Sequence, residues 1–263
     1  MESTPRDFKA GGACKLTGGI YKDVSLAGVA KVDGDLTCDS LSVAGSGSLD
    51  GNVTTGDCRL SGSAHVHGDL SASILHISGS GRIDGNVKAS NELRISGSGK
   101  IGGDVASEGE VRISGSTHIG GMLKAVDLRL SGSAHIGHGV ECESMTTSGG
   151  FTIGGLINAG TLDITLIGNC KADEIGGETV TVRSTAERSF NLFGLNLKLS
   201  AGYNTLTANL IEASDIRLER TKATTVRGQS VVVGPGCDIE LVEYSDSLTI
   251  DESSTVGRQV KSA

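Results

Sequence analysis

The sequence predicts an all-β protein: a right-handed three-faced parallel β-helix (β-solenoid) with 17–18-residue coils. The first observation behind this is a period. A Ser-Gly or Ala-Gly signature recurs at Gly28, Gly45, Gly62, Gly79, Gly97, Gly115, Gly132 and Gly149, in steps of 17, 17, 17, 18, 18, 17 and 17. Repeats of this length belong to β-solenoids rather than to helical arrays. The second observation is alternation. In the stretch LRISGSGKIGGDV, Leu93, Ile95, Gly97, Gly99, Ile101, Gly103 and Val105 interleave with Arg94, Ser96, Ser98, Lys100, Gly102 and Asp104. A period of two sends the first set inward and the second outward. Glycines fall where short strands must turn, and the expected reason is their freedom to take positive φ.

The third observation is that the repeats align into columns. One inward column runs Val24, Leu41, Cys58, Leu75, Leu93, Val111, Leu128, Met145, Leu162; a second runs Val43, Leu60, Ile77, Ile95, Ile113, Leu130. A third holds Val32, Leu49, Val66, Ile83, Ile101, Ile119, Ile136, Ile153, and a fourth stays small: Cys38, Thr55, Ala72, Ala89, Ser107, Ala125, Cys142, Ala159. Each large inward aliphatic contributes about 1.5–3 kcal/mol of burial. One coil cannot offset the ordering of its own backbone, so coils must stack. Left-handed hexapeptide helices keep multiples of six; the 17-residue steps break that rule and favour the right hand.

Taken in order, residues 1–12 read as a flexible tail, 13–161 as regular coils, 162–255 as an irregular continuation and 256–263 as a second tail. In the continuation, strand-like pairs recur at Val180/Val182, Leu195/Leu197, Ile216/Leu218, Val231/Val233 and Leu248/Ile250, with an insertion around Phe190–Tyr203. Composition agrees. The 263 residues include 40 glycines without a collagen period and only 2 prolines, which argues against a disordered chain. The net charge of −8 is spread evenly, with no basic half, so no nucleic acid is expected as a partner. The opening MESTPRDFKAGG lacks the apolar run of a signal peptide, and the chain has no apolar stretch long enough to span a membrane as a helix. The expected location is the cytoplasm, with a peripheral place at the inner face of the cell membrane left open.

Six cysteines show no CxxC pairing. Cys38, Cys58 and Cys142 occupy inward columns, so they read as small buried hydrophobes. Three outward features invite a functional reading. The basic columns Arg59, His76, Arg94, Arg112, Arg129 and Lys31, His65, Arg82, Lys100, His118, His135 suit an anionic polymer or lipid surface, but a solvated face is the favoured reading. His118 and His135 should stack about 5 Å apart, and His65 and His67 face outward together. With no carboxylate or thiol expected beside them, no metal site is assigned. The column Asp35, Asn52, Asp69, Asn86, Asp104, each after a glycine, reads as tight turns selecting left-handed backbone rather than a calcium ladder. Catalysis finds no motif: no GxSxG elbow, HExxH or P-loop, no Trp, and only Tyr21, Tyr203 and Tyr244 as tyrosines. No enzyme activity, cofactor or small-molecule substrate is expected.

The repeated unit I-S-G-S-[AG]-x-[IV]-x-G-[DN]-[VL] resembles the bactofilin family of polymer-forming bacterial cytoskeletal proteins. The stretch DIRLERTKATTVRGQSVVVGPGCDIELVEYSDSL is similar to the C-terminal region of a longer bactofilin-like subgroup, and the resemblance covers about residues 12–250. It implies end-to-end filaments formed without nucleotide, in a scaffold for cell shape, polarity or motility that is sometimes attached to the inner membrane. The chain departs from the family in its irregular C-terminal half, which is expected either to cap one end or to propagate the polymer, and in its short N-terminal segment. The expected partner is the protein itself, as homo-polymer or homo-oligomer, with other cytoskeletal or membrane proteins besides. A solenoid end is a row of unpaired strand edges over apolar core. The candidate self-assembly edges are therefore Cys14–Val24 (Leu16, Ile20, Val24) and Val231–Ile250 (Val231, Val233, Leu248, Ile250). The alternative reading is a β-helix that binds or modifies carbohydrate or cell-wall material.

Overall fold

The computed structural model describes residues 5–185, 188–192, 195–199 and 204–262. Among these the chain is strand and turn, with no helix. It divides into two compact units, residues 1–142 and 143–263. That division precedes the loosening of the beat after Leu162.

The first unit is a parallel β-solenoid in which each full coil lends one short strand to each of three stacks. On one face Ser40–Val43, Asp57–Leu60, Ile74–Ile77, Glu92–Ile95, Glu110–Ile113 and Asp127–Leu130 pair in register. The second face stacks Val29–Val32, Ser46–Leu49, Ser63–Val66, Ser80–Ile83, Ser98–Ile101, Ser116–Ile119 and Ser133–Ile136. The third begins with Leu36–Cys38, Val53–Thr55, Leu70–Ala72, Val87–Ala89 and Val105–Ser107. Within this unit the first three predicted inward columns follow these registers, and the fourth does so from Cys38 to Ser107, while its Ala125 and Cys142 are only half-buried. Two more line the core beside them. One is large, Leu36, Val53, Leu70, Val87, Val105, Leu123 and Val140, all buried. The other is small: Ala30, Gly47, Ala64, Gly81, Gly99, Thr117 and Ala134. Its size follows from packing: a Cβ at Gly81 would stand 2.9 Å from Ile77 Cγ2, and one at Gly47 2.9 Å from Val43 Cγ1.

The signature glycines serve a different purpose from the one expected. Among the described residues, left-handed φ occurs at Gly12, Gly19, Gly34, Gly139, Gly155, Gly236 and Arg220, none of them in the signature column. Instead, a Cβ at Gly45, Gly62, Gly79, Gly97, Gly115 or Gly132 would collide with the carbonyl oxygen of the signature glycine one coil earlier. The requirement is close backbone approach, not an unusual dihedral.

The second unit stacks longer parallel strands: Gly150–Leu166, Cys170–Ser184, Leu206–Leu218, Thr221–Val233, Asp238–Ile250 and Thr255–Lys261. Leu162, Val180, Ile216, Val231 and Leu248 form one column, as the alternation implies. The pair Leu195/Leu197 does not join it. Leu195–Leu199 pairs antiparallel with Arg188–Leu192, so this insertion is a hairpin, and Val180 is followed in its column by Ile216. The two strands are two residues apart in sequence, a link that suits antiparallel pairing and is too short for a parallel crossover. Tyr203, the expected end of the insertion, lies outside the described residues.

Both expected tails contribute strands. Phe8–Ala10 pairs with Val24–Leu26, and Thr255–Lys261 pairs with Asp238–Tyr244.

Candidate functional site

The outward columns stand where the period places them, but with partners that a column-by-column reading misses. Arg59, His76, Arg94, Arg112 and Arg129 form one ladder. Two residues earlier in each coil runs a second column, Asp57, Ile74, Glu92, Glu110 and Asp127. Arg94 Nη2 meets Glu92 at 2.7 Å, and Glu110 takes Arg112 Nε at 2.7 Å and Arg129 Nε at 2.9 Å. The Arg112 guanidinium beside it holds the Glu110 carboxyl below its usual range despite partial burial. The face is therefore charge-balanced rather than a bare cationic strip.

The second basic column carries the pair His118 and His135 and one member, His65, of the other pair. His118 and His135 are adjacent in register and stack with ring centroids 4.8 Å apart and planes 4° from parallel, close to the expected spacing. His65 lies on the strand Ser63–Val66 and His67 just past its end, their rings 3.8 Å apart. Contrary to the expectation of no carboxylate beside them, Asp50 and Asp84 flank His67 one coil away on either side, since Leu49, Val66 and Ile83 are in register. His65 Nε2 lies 2.7 Å and His67 Nδ1 3.3 Å from Asp84 Oδ2, while His67 Nε2 is 3.7 Å from Asp50 Oδ1. The signal was available, because 50, 67 and 84 are separated by one 17-residue coil each. Hydrogen bonds from Arg82 and then His65 hold the Asp84 carboxyl at about 2.

The Gly-Asp/Asn column is a hydrogen-bond ladder. Asn52 N donates to Asp35 Oδ1 at 2.8 Å, Asp69 N to Asn52 Oδ1 at 2.9 Å and Asn86 N to Asp69 Oδ1 at 2.7 Å. Asp104 N donates to Asn86 Oδ1 at 2.9 Å and Met122 N to Asp104 Oδ1 at 2.8 Å. A Cβ on Gly51, Gly68, Gly85, Gly103 or Gly121 would intrude on the accepting oxygen below it. Of the preceding glycines only Gly34 has left-handed φ. The predicted left-handed turn thus gives way to a relay of side-chain acceptors, and Asx residues are required because they place an oxygen one coil away.

The predicted assembly edges divide into open and covered positions. Ala13–Ile20 pairs with Val29–Thr37 and, among the described residues, with no second strand. Leu16 in it is buried, whereas Ile20 is 72% exposed; Val29, 65% exposed, belongs to the next coil and is paired on both sides, with Ala13 and Ser46. Val24 is not an edge residue: Phe8 covers it on one side and Leu41 on the other. In the second unit Val231 and Val233 are likewise interior, covered by Leu248 and Ile250. Leu248 and Ile250 are half-buried and have no partner strand beyond them among the described residues, because Thr255–Lys261 covers only Asp238–Tyr244. The covered positions were misread because alternation marks what faces inward, not which coil comes last.

The cysteines are unpaired. Burial pushes the Cys58 thiol up to about 12, Cys142 to about 12 and Cys170 to about 11, which disfavours the thiolate form. A shallow depression in the second unit is lined by Glu212, Arg227 and Glu243. Arg227 bridges both carboxylates, at 3.0 and 2.7 Å, and no aromatic side chain lines it.

Residues 8–88 match the family model of the bactofilins, described as polymer-forming cytoskeletal. The chain is similar to YhbE of Bacillus subtilis (strain 168), 42% identical over 110 residues that cover 41% of this chain and 44% of that protein. It is also similar to YhbF of the same organism, 35% identical over 108 residues covering 41% and 42%. Both relatives are named as uncharacterized proteins, and the chain spans less than half the length of each. No solved structure gives a significant match.

Proposed function

Since the chain carries a bactofilin segment over residues 8–88, we propose that it is a non-enzymatic cytoskeletal scaffold. It assembles with copies of itself through its terminal coils, end to end and without nucleotide, to organise machinery of cell shape, polarity or motility. The observation that carries this reading is the open strand edge Ala13–Ile20, where backbone donors and acceptors stand beside the exposed side chain of Ile20. An unpaired edge with apolar side chains is a template for another strand. Thr255–Lys261, which covers Asp238–Tyr244, is mostly exposed and carries Arg258, Gln259 and Lys261 beside Val260, a more polar surface than that at Ile20. The Ile20 edge is therefore the adhesive one, and Leu248 and Ile250 offer a smaller second contact.

The cytoplasm is the compartment this reading requires, and no helix among the described residues is long and apolar enough to cross a membrane. The carbohydrate reading draws no support from the Glu212–Arg227–Glu243 depression, whose carboxylates are engaged by the guanidinium. Negative-stain microscopy of the purified chain, free of nucleotide and added metal, tests the proposal across salt and protein concentration. Filaments are expected; monodisperse particles throughout would overturn it.

A further inference from the structure

We infer that His65, His67 and Asp84 form a binding site for one divalent transition-metal ion of the zinc class. The three side chains each offer one ligand atom, and these atoms lie within 4.8 Å of one another. Tetrahedral ligands held about 2.1 Å from zinc stand about 3.4 Å apart, so the cluster is within side-chain adjustment of a coordination sphere. His65, on the strand Ser63–Val66, and His67, just past its end, hold their rings 3.8 Å apart, and the neighbouring coil adds the carboxylate. Two nitrogens and one oxygen suit zinc, nickel, cobalt and copper rather than magnesium or calcium, which prefer all-oxygen shells.

The surroundings hold the ligands in place. Arg82 Nε donates to Asp84 Oδ1 at 2.7 Å, which leaves Oδ2 directed at both imidazoles. With His67 Nδ1 toward Asp84, its Nε2 faces Asp50 Oδ1 at 3.7 Å and Ser48 Oγ at 3.4 Å. A carboxylate behind a ligating histidine is the usual orienting arrangement. Asp50 is in turn fixed by Lys31 Nζ at 2.8 Å. All three ligands are partly exposed, so water completes the shell and the ion exchanges freely with solvent. The stacked pair His118–His135 has no such carboxylate and provides an internal comparison.

Isothermal titration of the tag-free, full-length chain with Zn2+ tests the inference, with Mg2+ and Ca2+ titrated in parallel. One saturable Zn2+ site is expected, unaffected by millimolar Mg2+ or Ca2+. His67→Ala should weaken it at least tenfold, since loss of orienting partners alone costs about 10–100-fold. Asp84→Asn, nearly isosteric, gives the same answer should the alanine variant fold poorly. The double variant His118→Ala/His135→Ala should bind as the parent does. Absence of a saturable site, equal competition by Mg2+, or full binding in folded His67→Ala and Asp84→Asn would each overturn the assignment. The measurement reads binding alone and is independent of whether the chain polymerises.

Discussion

A single methyl group at position 97 would meet the carbonyl oxygen of Gly79, which is backbone and has nowhere to go. Gly97→Ala is therefore expected to lose about 2–3 kcal/mol of stability or more, the upper range for overpacking. Gly11→Ala, with nothing within 4 Å of its Cβ, should shift the same denaturant midpoint by less than about 0.5 kcal/mol. A similar loss in both variants would remove the steric account. The period revealed the signature column, but not its reason, because glycine is selected by two different constraints that leave one letter. Only the distance between successive coils distinguishes them. Cys58 shows the opposite case. Its place among Val24, Leu41, Leu75 and Leu93 already marked it as a small apolar residue, and burial accounts for the raised thiol.

At the scale of the strand stacks, the Asx ladder makes a distinction that turn propensity does not. Asn52→Ala deletes the acceptor of Asp69 N and is expected to cost about 0.5–1.5 kcal/mol. Asn52→Asp keeps the acceptor but stacks three carboxylates about 4.8 Å apart. Its loss should shrink as salt rises toward 1 M, through screening, whereas that of Asn52→Ala should not. Salt-independent unfolding differences between the two variants would show that alternation of charge is not what the ladder needs. Strand existence and inward columns were legible here because period two and a 17-residue step are properties of letters alone. The hairpin Arg188–Leu192/Leu195–Leu199 was not, since Leu195 and Leu197 alternate identically in parallel and antiparallel pairing. The tail strands Phe8–Ala10 and Thr255–Lys261 escaped because they are short or largely polar, and their neighbour rather than their composition decides their state.

For the molecule as a whole, the question is which coil is last, and burial separates the candidates. Ile20→Asp changes an exposed side chain and should abolish filaments while leaving the unfolding midpoint within about 0.5 kcal/mol of the parent. Leu248→Asp should shorten filaments with a modest stability loss, because its side chain is half-buried. Val231→Asp places a charge in the core and should unfold its unit rather than act on assembly. Microscopy together with denaturant unfolding reads all three, and filaments unchanged by Ile20→Asp would show that the Ala13–Ile20 edge is not the contact. The paired carboxylates Asp50 and Asp84 belong to the same lesson. They were one coil-step from His67 in the sequence, yet became neighbours only once outward positions were read across coils as well as along them.

The ladder from Asp35 to Met122 has one further consequence, for descent rather than stability. Between its ends, each coil donates a backbone N–H to the side-chain oxygen of the coil before and offers its own side-chain oxygen to the coil after. Removing or duplicating one whole repeat leaves every donor facing an acceptor, whereas gaining or losing a residue inside a strand turns its inward side chains to solvent; the extra residue of the coil that holds Glu92–Ile95 falls between strand segments, after Ala89. Genes for such a unit therefore change its length most readily in whole steps, by recombination between similar segments. Length is then a counted quantity, inherited as a number of repeats.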